Sequence, residues 1–173
     1  MATTKRTLVV VCRGNIARSP FASEVINQEL ARCKRTEELH AVSCGVQGTR
    51  VDPVPVKHPN ITHYPAMYKP VKALLAELKI DLSTHVSRPI DEQMATQASI
   101  LIAMDDQTKH ALLKLFPREA RKIYLFTELL GGTGSITDPD KVAESAQLPI
   151  IFTDLHRRIK RGLPKLLTVL ENM

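Results

Sequence analysis

Leu8-Val9-Val10-Val11-Cys12-Arg13-Gly14-Asn15-Ile16-Ala17-Arg18-Ser19-Pro20 is the stretch that decides the fold. Its apolar start reads as a strand, and an amphipathic pattern begins at Phe21. Ser19 is a natural helix N-cap and Pro20 a natural first helical residue. The backbone N–H groups of residues 13 to 18 can therefore curl around a tetrahedral anion, with the first helical turn adding its unpaired donors and positive dipole end. Gly14 permits close backbone approach, and Asn15 tolerates a left-handed conformation inside a tight loop. Arg18 offers a planar fork to two anion oxygens. So positive an environment favours a thiolate, the nucleophilic form of cysteine. Cys12 is thus a candidate nucleophile, set in an anion cradle of Arg13, Gly14, Asn15, Ile16, Ala17, Arg18 and Ser19. The competing reading of the same residues is a strand–turn–helix corner around a structural cysteine.

Outward from this corner, strand and helix patterns alternate. Strand one covers 7–12 and helix one 20–32, with Phe21, Ala22, Val25, Ile26 and Leu30 on its buried side. A short strand follows at 39–43. Pro53, Pro55, Pro59 and Pro65 mark residues 46–69 as loop. Pro70 is expected to open a helix reaching Lys79. A third strand is expected at 98–103, a helix at 106–115 and a fourth strand at 122–126. A Gly/Asp/Pro loop at 131–141 precedes a C-terminal helix from about Pro149, with a kink expected near Gly162 and Pro164. This alternation predicts an α/β fold of three α/β/α layers: a four-stranded parallel sheet with helices on both faces, and the phosphate loop between strand one and helix one. Ligands of such sheets sit at the carboxyl ends of strands near the switch point, where Cys12 falls.

Composition bounds the possibilities. At 173 residues, 43% hydrophobic and 24% charged, the chain reads as a single globular domain, 1–173. No transmembrane run or signal peptide is visible, and three cysteines without metal-ligand spacing suit reduced thiols. These features lead us to expect a cytoplasmic protein, and no metal or cofactor is expected because the anion cradle itself neutralises the phosphate charge. The net charge of +6 admits nucleic-acid or membrane-surface binding. Much of it lies in His156-Arg157-Arg158-Ile159-Lys160-Arg161 and Lys165. These charges alternate with Leu155, Ile159, Leu163, Leu166, Leu167 and Leu170, which reads as the solvated face of an amphipathic helix. With no tryptophan and 4% aromatic residues, base stacking has little material, and no nucleic-acid partner is expected.

The run Val11–Pro20 resembles the V-C-x-G-N-x-C-R-S-P signature of the low-molecular-weight protein tyrosine phosphatases, differing at Ala17, where most members carry a second cysteine. Val42-Ser43-Cys44-Gly45, Ile80-Asp81-Leu82-Ser83-Thr84-His85-Val86-Ser87-Arg88, Leu101-Ile102-Ala103-Met104-Asp105 and Asp138-Pro139 resemble further family segments in the same order. Residues 46–70 and 140–173 match poorly. The resemblance implies hydrolysis of a phosphate monoester through a phosphocysteine on Cys12, with a phosphorylated protein, first of all a phosphotyrosine protein, as substrate. It also implies Asp138 as general acid, with Asp140 as rival and a chemically idle Asp-Pro turn as the third possibility. Asn15, Ser19, Ser43 and His85 match the hydrogen-bonded network behind the family's loop. Asp105 could orient Arg18 or cap the following helix.

Three departures carry consequences. Ala17 removes the thiol that would protect an oxidised nucleophile; Cys44 is a substitute only if it lies close by. Asp140-Lys141 stands where family members often carry aromatic residues that wall the entrance. The 46–69 loop has no clear counterpart of the opposite aromatic wall, leaving Tyr64 or Tyr68 to fill it. Ile16 points to phosphotyrosine, since arginine-phosphate phosphatases of this fold resemble one another in having Thr there. A related reductase chemistry, in which thioredoxin-coupled enzymes reduce arsenate, needs a downstream cysteine pair, and none follows Cys44. A phosphate-binding module without turnover is the remaining alternative, and the oligomeric state stays open.

Overall fold

Four short apolar runs become the strands. The computed structural model describes residues 5–173; residues 1–4, which the single-domain reading includes, lie outside the described residues. The strands are β1 (Arg6–Cys12), β2 (Leu39–Gly45), β3 (Ile100–Ala103) and β4 (Ile123–Leu125). They pair in the order β2-β1-β3-β4, all parallel. The chain steps from β1 to β2 on one side and then to β3 on the other. The switch point therefore lies at the carboxyl end of β1, where Cys12 ends the strand.

Alternation along β1 sends its side chains to two different layers. Leu8, Val10 and Cys12 join one cluster with α1 (Arg18–Arg32), α2 (Pro65–Glu77), α5 (Phe126–Leu130) and α6 (Leu148–Glu171). Val9 and Val11 join the other, with Cys44, α3 (Glu92–Gln97) and α4 (Asp106–Leu115). Helices thus cover both faces of the sheet. In the first layer Phe21 of α1 meets Phe152 of α6 edge-to-face, with centroids 4.9 Å apart, a geometry that adds about 0.5–1.5 kcal/mol beyond the burial itself.

Several boundaries differ from those expected, each for a local reason. Helix α1 begins at Arg18, and its N-cap is Ala17, which has no capping side chain. Ser19 does not cap, because its hydroxyl is turned onto Cys12. Pro20 is then the third helical residue, where its missing N–H is still one of the helix's unpaired donors. Helix α2 begins at Pro65, so Pro65 is a helix starter and Pro70 lies inside. The backbone bond that Pro70 cannot make would have gone to the carbonyl of Ala66, an exposed residue whose oxygen water can serve. The short helices α3 and α5 were not expected. Helix α6 runs unbroken through Gly162 and Pro164. A Cβ at Gly162 would lie 2.2 Å from the Leu130 carbonyl oxygen, so the glycine lets α5 and α6 touch backbone to backbone. The apolar stripe of α6 is buried at Leu155, Ile159, Leu163, Leu166 and Leu170, and Leu167 packs at its edge. Arg157, Lys160, Arg161 and Lys165 face outward. Among the described residues no helix is long and apolar enough to cross a membrane.

Candidate active site

The loop after β1 is held by its neighbours in β2. The N–H of Val46 donates to the Cys12 carbonyl at 3.1 Å and that of Gln47 to the Arg13 carbonyl at 2.9 Å. Gly45 is what permits this approach: a Cβ there would meet the Arg13 carbonyl oxygen at 2.6 Å and Asn15 N at 3.1 Å. Asn15 adopts the left-handed conformation, φ 54°, and that turn aims its own N–H at Cys12 Sγ, 3.2 Å away. The backbone N–H groups of Gly14, Ile16, Ala17 and Arg18 meet no protein acceptor among the described residues. Donors without partners beside a cleft are poised for an anion.

Asn15 is fully buried, and every polar atom of its side chain is engaged. Nδ2 donates to Ser19 Oγ and to Ser43 Oγ, each at 3.0 Å. Oδ1 accepts the Arg88 N–H at 3.1 Å. The Asn15 carbonyl accepts from His85 Nε2 at 2.8 Å, which requires the Nε2-protonated imidazole. Burial, helped by the Arg88 charge, lowers the His85 pKa, and the bond to Asn15 only partly opposes it. The structure thus gathers Ser19, Ser43 and His85 around the strained Asn15. The sequence reading missed Arg88, whose N–H and guanidinium reach Asn15 and the Ser43 carbonyl. It also missed the close approach at Gly45. Ser19 Oγ lies 3.0 Å from Cys12 Sγ and 3.3 Å from the Cys44 carbonyl. Since it already accepts from Asn15, its single proton is shared between those two.

Arg18 is 3% exposed and is held from three sides. Nη1 donates to Asp105 Oδ2 at 2.6 Å and to the Ile136 carbonyl at 2.9 Å, and Nη2 to Asp138 Oδ2 at 3.1 Å. Burial works to lower its pKa, but the charges of Cys12, Asp138 and Asp105 outweigh that and raise it. Asp105 does both things the sequence left open: Oδ2 orients Arg18, while Oδ1 caps α4 by accepting the Thr108 N–H at 2.7 Å. Burial pushes its carboxyl up, but the Thr108 bonds and the Arg18 charge bring it below the ordinary range. Asp138 is positioned through Ile136, whose N–H bonds the Met104 carbonyl at 2.8 Å at the end of β3. Its Oδ1 accepts the Asp140 N–H at 3.1 Å, an Asx turn that leaves Oδ2 toward Arg18.

These groups share a cleft of about 260 Å³, with Cys12 at its floor and Arg18 and Asp138 beside it. Ile16, Val54, Pro55, Tyr64, Met67 and Pro139 give it apolar walls. Of the two tyrosines only Tyr64 lines the cleft, from the side of the 46–69 loop; both rings pack against the core. Asp140 stands on the opposite wall, its carboxyl pushed up by partial desolvation in the cleft and by Asp138 against the pull of Arg18 and Arg13. Arg13 is turned away to Asp52, at 2.8 Å. Cys44 pairs in register with Val11 and so projects to the opposite face of the sheet from Cys12; it cannot serve as its disulfide partner. Burial first, and then the Cys12 charge, push the Cys44 thiol up. Among the described residues no three His, Cys, Asp or Glu side chains are gathered as a metal ion would require.

Chemically, the arrangement offers a sulfur nucleophile, a cationic fork, unpaired amides and a carboxyl across a narrow apolar slot. Comparison with known proteins agrees with that chemistry. The family model described as low molecular weight phosphotyrosine protein phosphatase matches residues 7–173. The chain is 24% identical over 158 residues, 91% of each chain, to the Probable low molecular weight protein-tyrosine-phosphatase EpsP of Ralstonia nicotianae. It is 29% identical over 133 residues to the Protein-arginine-phosphatase of Bacillus subtilis, covering 76% of this chain and 78% of that one. Among solved structures, the low molecular weight protein tyrosine phosphatase from T. tengcongensis superposes with a TM-score of 0.76 at 25% identity. That match covers 94% of this chain and 100% of that one.

Proposed function

Because the chain belongs to the low molecular weight phosphotyrosine protein phosphatase family, we propose that it hydrolyses phosphotyrosine in protein substrates, with Cys12 as nucleophile and Asp138 as general acid. The observation that carries this reading is the convergence on Cys12 Sγ of the Asn15 N–H and the Ser19 hydroxyl, at the floor of a cleft shared with Arg18 and Asp138. A structural cysteine needs no such partners and no open slot above it.

In the first step the Cys12 thiolate attacks phosphorus in line. The bond to the tyrosyl oxygen breaks with its electron pair on that oxygen, and Asp138 supplies the proton. Arg18 and the unpaired amides of residues 14 and 16–18 hold the equatorial oxygens as charge redistributes. In the second step the Asp138 carboxylate takes a proton from water, the water oxygen attacks phosphorus, and the thiolate leaves. Ser19 is suited to stabilise that departing sulfur. The ion pair between Arg18 and Asp138 bears on the order of events. An arriving phosphate competes with Asp138 for Arg18 Nη2 and leaves Asp138 Oδ2 without its cationic partner.

Ile16 supports tyrosine over arginine phosphate as substrate: its side chain gives a phenyl ring an apolar contact and offers a guanidinium no hydrogen bond. The test compares a phosphotyrosyl peptide with an arginine-phosphorylated protein of matched sequence, with and without vanadate. Vanadate-sensitive release of phosphate from the tyrosyl peptide at the higher kcat/KM supports the proposal. Turnover of the arginine phosphate alone overturns the choice of substrate, and turnover of neither overturns the enzymatic reading.

A further inference from the structure

Three consecutive residues at the turn from β3 into α4 hold both partners of the Arg18–Asp138 contact. The Met104 carbonyl accepts the Ile136 N–H at 2.8 Å, and Asp105 Oδ2 accepts from Arg18 Nη1 at 2.6 Å. Asp106 takes hold of Ser135, a residue with no part in the mechanism above. Its N–H donates to Ser135 Oγ at 3.0 Å, and the Ser135 hydroxyl donates back to its Oδ2 at 2.8 Å. The Asp106 N–H belongs to the first turn of α4 and has no partner inside the helix, so it is free to meet Ser135. Ser135 precedes Asp138 by three residues. Just before it, the Gly134 carbonyl accepts the Thr127 hydroxyl at 2.8 Å.

The chain needs a fastening at this point. Gly131, Gly132 and Gly134 lead into it at φ 90°, 99° and 71°, and glycine restricts the backbone least of all residues. Beyond Asp138, the Asp140 and Lys141 N–H groups turn back onto Asp138 itself, at 3.1 and 2.9 Å. Those bonds shape the turn without tying it to the sheet. Bound phosphate competes for Arg18 Nη2 and takes away the ion pair of Asp138 just when the acid must be in place. Ile136 then remains as an anchor about which the segment can pivot, and a second point of attachment stops the pivot. We propose that Ser135 is a positioning residue for the general acid: clasped by Asp106 at the start of α4, it keeps Asp138 at the cleft once phosphate has taken Arg18 Nη2. The inference rests on Asp138 as general acid and extends that reading to the residue that sets its place.

The experiment measures the rate at which the enzyme is phosphorylated by two substrates in rapid-mixing kinetics. One is a phosphotyrosyl peptide, whose leaving group needs the proton; the other is an activated aryl phosphate, whose phenolate leaves without it. Ser135→Ala removes the clasp at an exposed position. It should slow phosphorylation by the peptide about tenfold to a hundredfold, the cost of a misplaced catalytic group. The aryl phosphate should stay within about twofold of wild type, which also shows that the variant is folded. Ser135→Thr keeps the hydroxyl and should restore the peptide rate. Asp106→Ala loses only the carboxylate bond and should fall between Ser135→Ala and wild type. In Asp138→Asn protein, Ser135→Ala should add nothing, because the group it places is gone. The proposal is overturned by an unchanged peptide rate in Ser135→Ala, by equal slowing of both substrates, or by a full Ser135→Ala effect in the Asp138→Asn background. Failure of the underlying reading looks different, because Asp138→Asn alone would then slow both substrates equally or neither.

Discussion

Replacing Asp105 by Asn separates the two tasks that one carboxylate performs. Asp105 Oδ1 caps α4 at 2.7 Å from the Thr108 N–H, and Oδ2 holds Arg18 Nη1 at 2.6 Å. Asn is as good an N-cap as Asp, so the cap survives. The other side of the amide, however, presents an NH₂ group to a guanidinium that can only donate. The two side chains are 4% and 16% exposed, and removing one partner of a buried ion pair costs about 3–5 kcal/mol. Arg18 still has the Ile136 carbonyl and Asp138, and Asp105 sits toward solvent. The expected loss of stability is therefore nearer about 2–3 kcal/mol, below the range for a pair stripped of all support. Asp105→Ala loses the cap as well and should fall about 1 kcal/mol further. Urea unfolding reads both as a lower midpoint at unchanged slope. The freed guanidinium fork should also lower kcat/KM on a phosphotyrosyl peptide by about tenfold to a hundredfold, the cost of misplacing a group that orients the substrate. An Asn variant within about 0.5 kcal/mol of wild type and with normal kcat/KM would refute the reasoning. Arg18 would then be held well enough by the Ile136 carbonyl and Asp138 alone.

Asp138→Asn should slow tyrosyl phosphate hydrolysis by about 10²–10⁴-fold and flatten the basic limb of the pH–rate profile. In burst kinetics, phosphorylation by an activated aryl phosphate should suffer far less; loss of the limb in Asp140→Asn instead would move the acid two residues along. Because burial lowers the His85 pKa, the unfolded chain binds more protons once the pH drops below about 6.5, the ordinary imidazole value. The stabilisation from neutral His85 is thus complete above that pH and is lost on acidification. His85→Gln should therefore show a shallower fall in Tm between neutral and mildly acidic pH than wild type, and parallel Tm curves would refute it. Peroxide should carry Cys12 to acids that dithiothreitol does not reverse. Cys44 faces the other side of the sheet, and Cys33 lies at the far end of a 15-residue helix, about 22 Å long. Recovery of activity through a Cys12–Cys44 disulfide, detected by peptide mapping, would contradict the strand register.

What the sequence revealed follows from the range of the interactions involved. The four strands and the corner at Cys12 were legible because apolar runs and a Gly-Asn turn are local signals. Helix α4 was read to the residue because Asp105 caps it and Leu115 ends it just before Pro117. The errors arose where a side chain answered to a distant partner. Ser19 has the chemistry of an N-cap, but its hydroxyl is drawn to Cys12, and the helix starts one residue before it. Pro70 looked like a helix start because its pattern cannot tell whether the Ala66 carbonyl will find water. Helices α3 and α5, at six and five residues, are too short for a periodic signal to build up. Within the site, Gly45 and Arg88 stood inside family-like segments but without a role, because their roles depend on the 2.6 Å and 3.1 Å approaches of chain segments far apart in sequence. The double duty of Asp105 was visible only as two alternatives, because a single carboxylate with two oxygens satisfies both.

The most direct test of the account is acid-quench mass spectrometry of the Asp138→Asn protein mixed with an activated aryl phosphate. With no carboxylate to activate water, the covalent intermediate should accumulate. The account predicts one phosphoryl group per chain within the burst, mapped to Cys12 and absent from the matching Cys12→Ser protein, which still binds vanadate. A phosphoryl group on any other residue, or turnover above about one percent of wild type in Cys12→Ser, would contradict it.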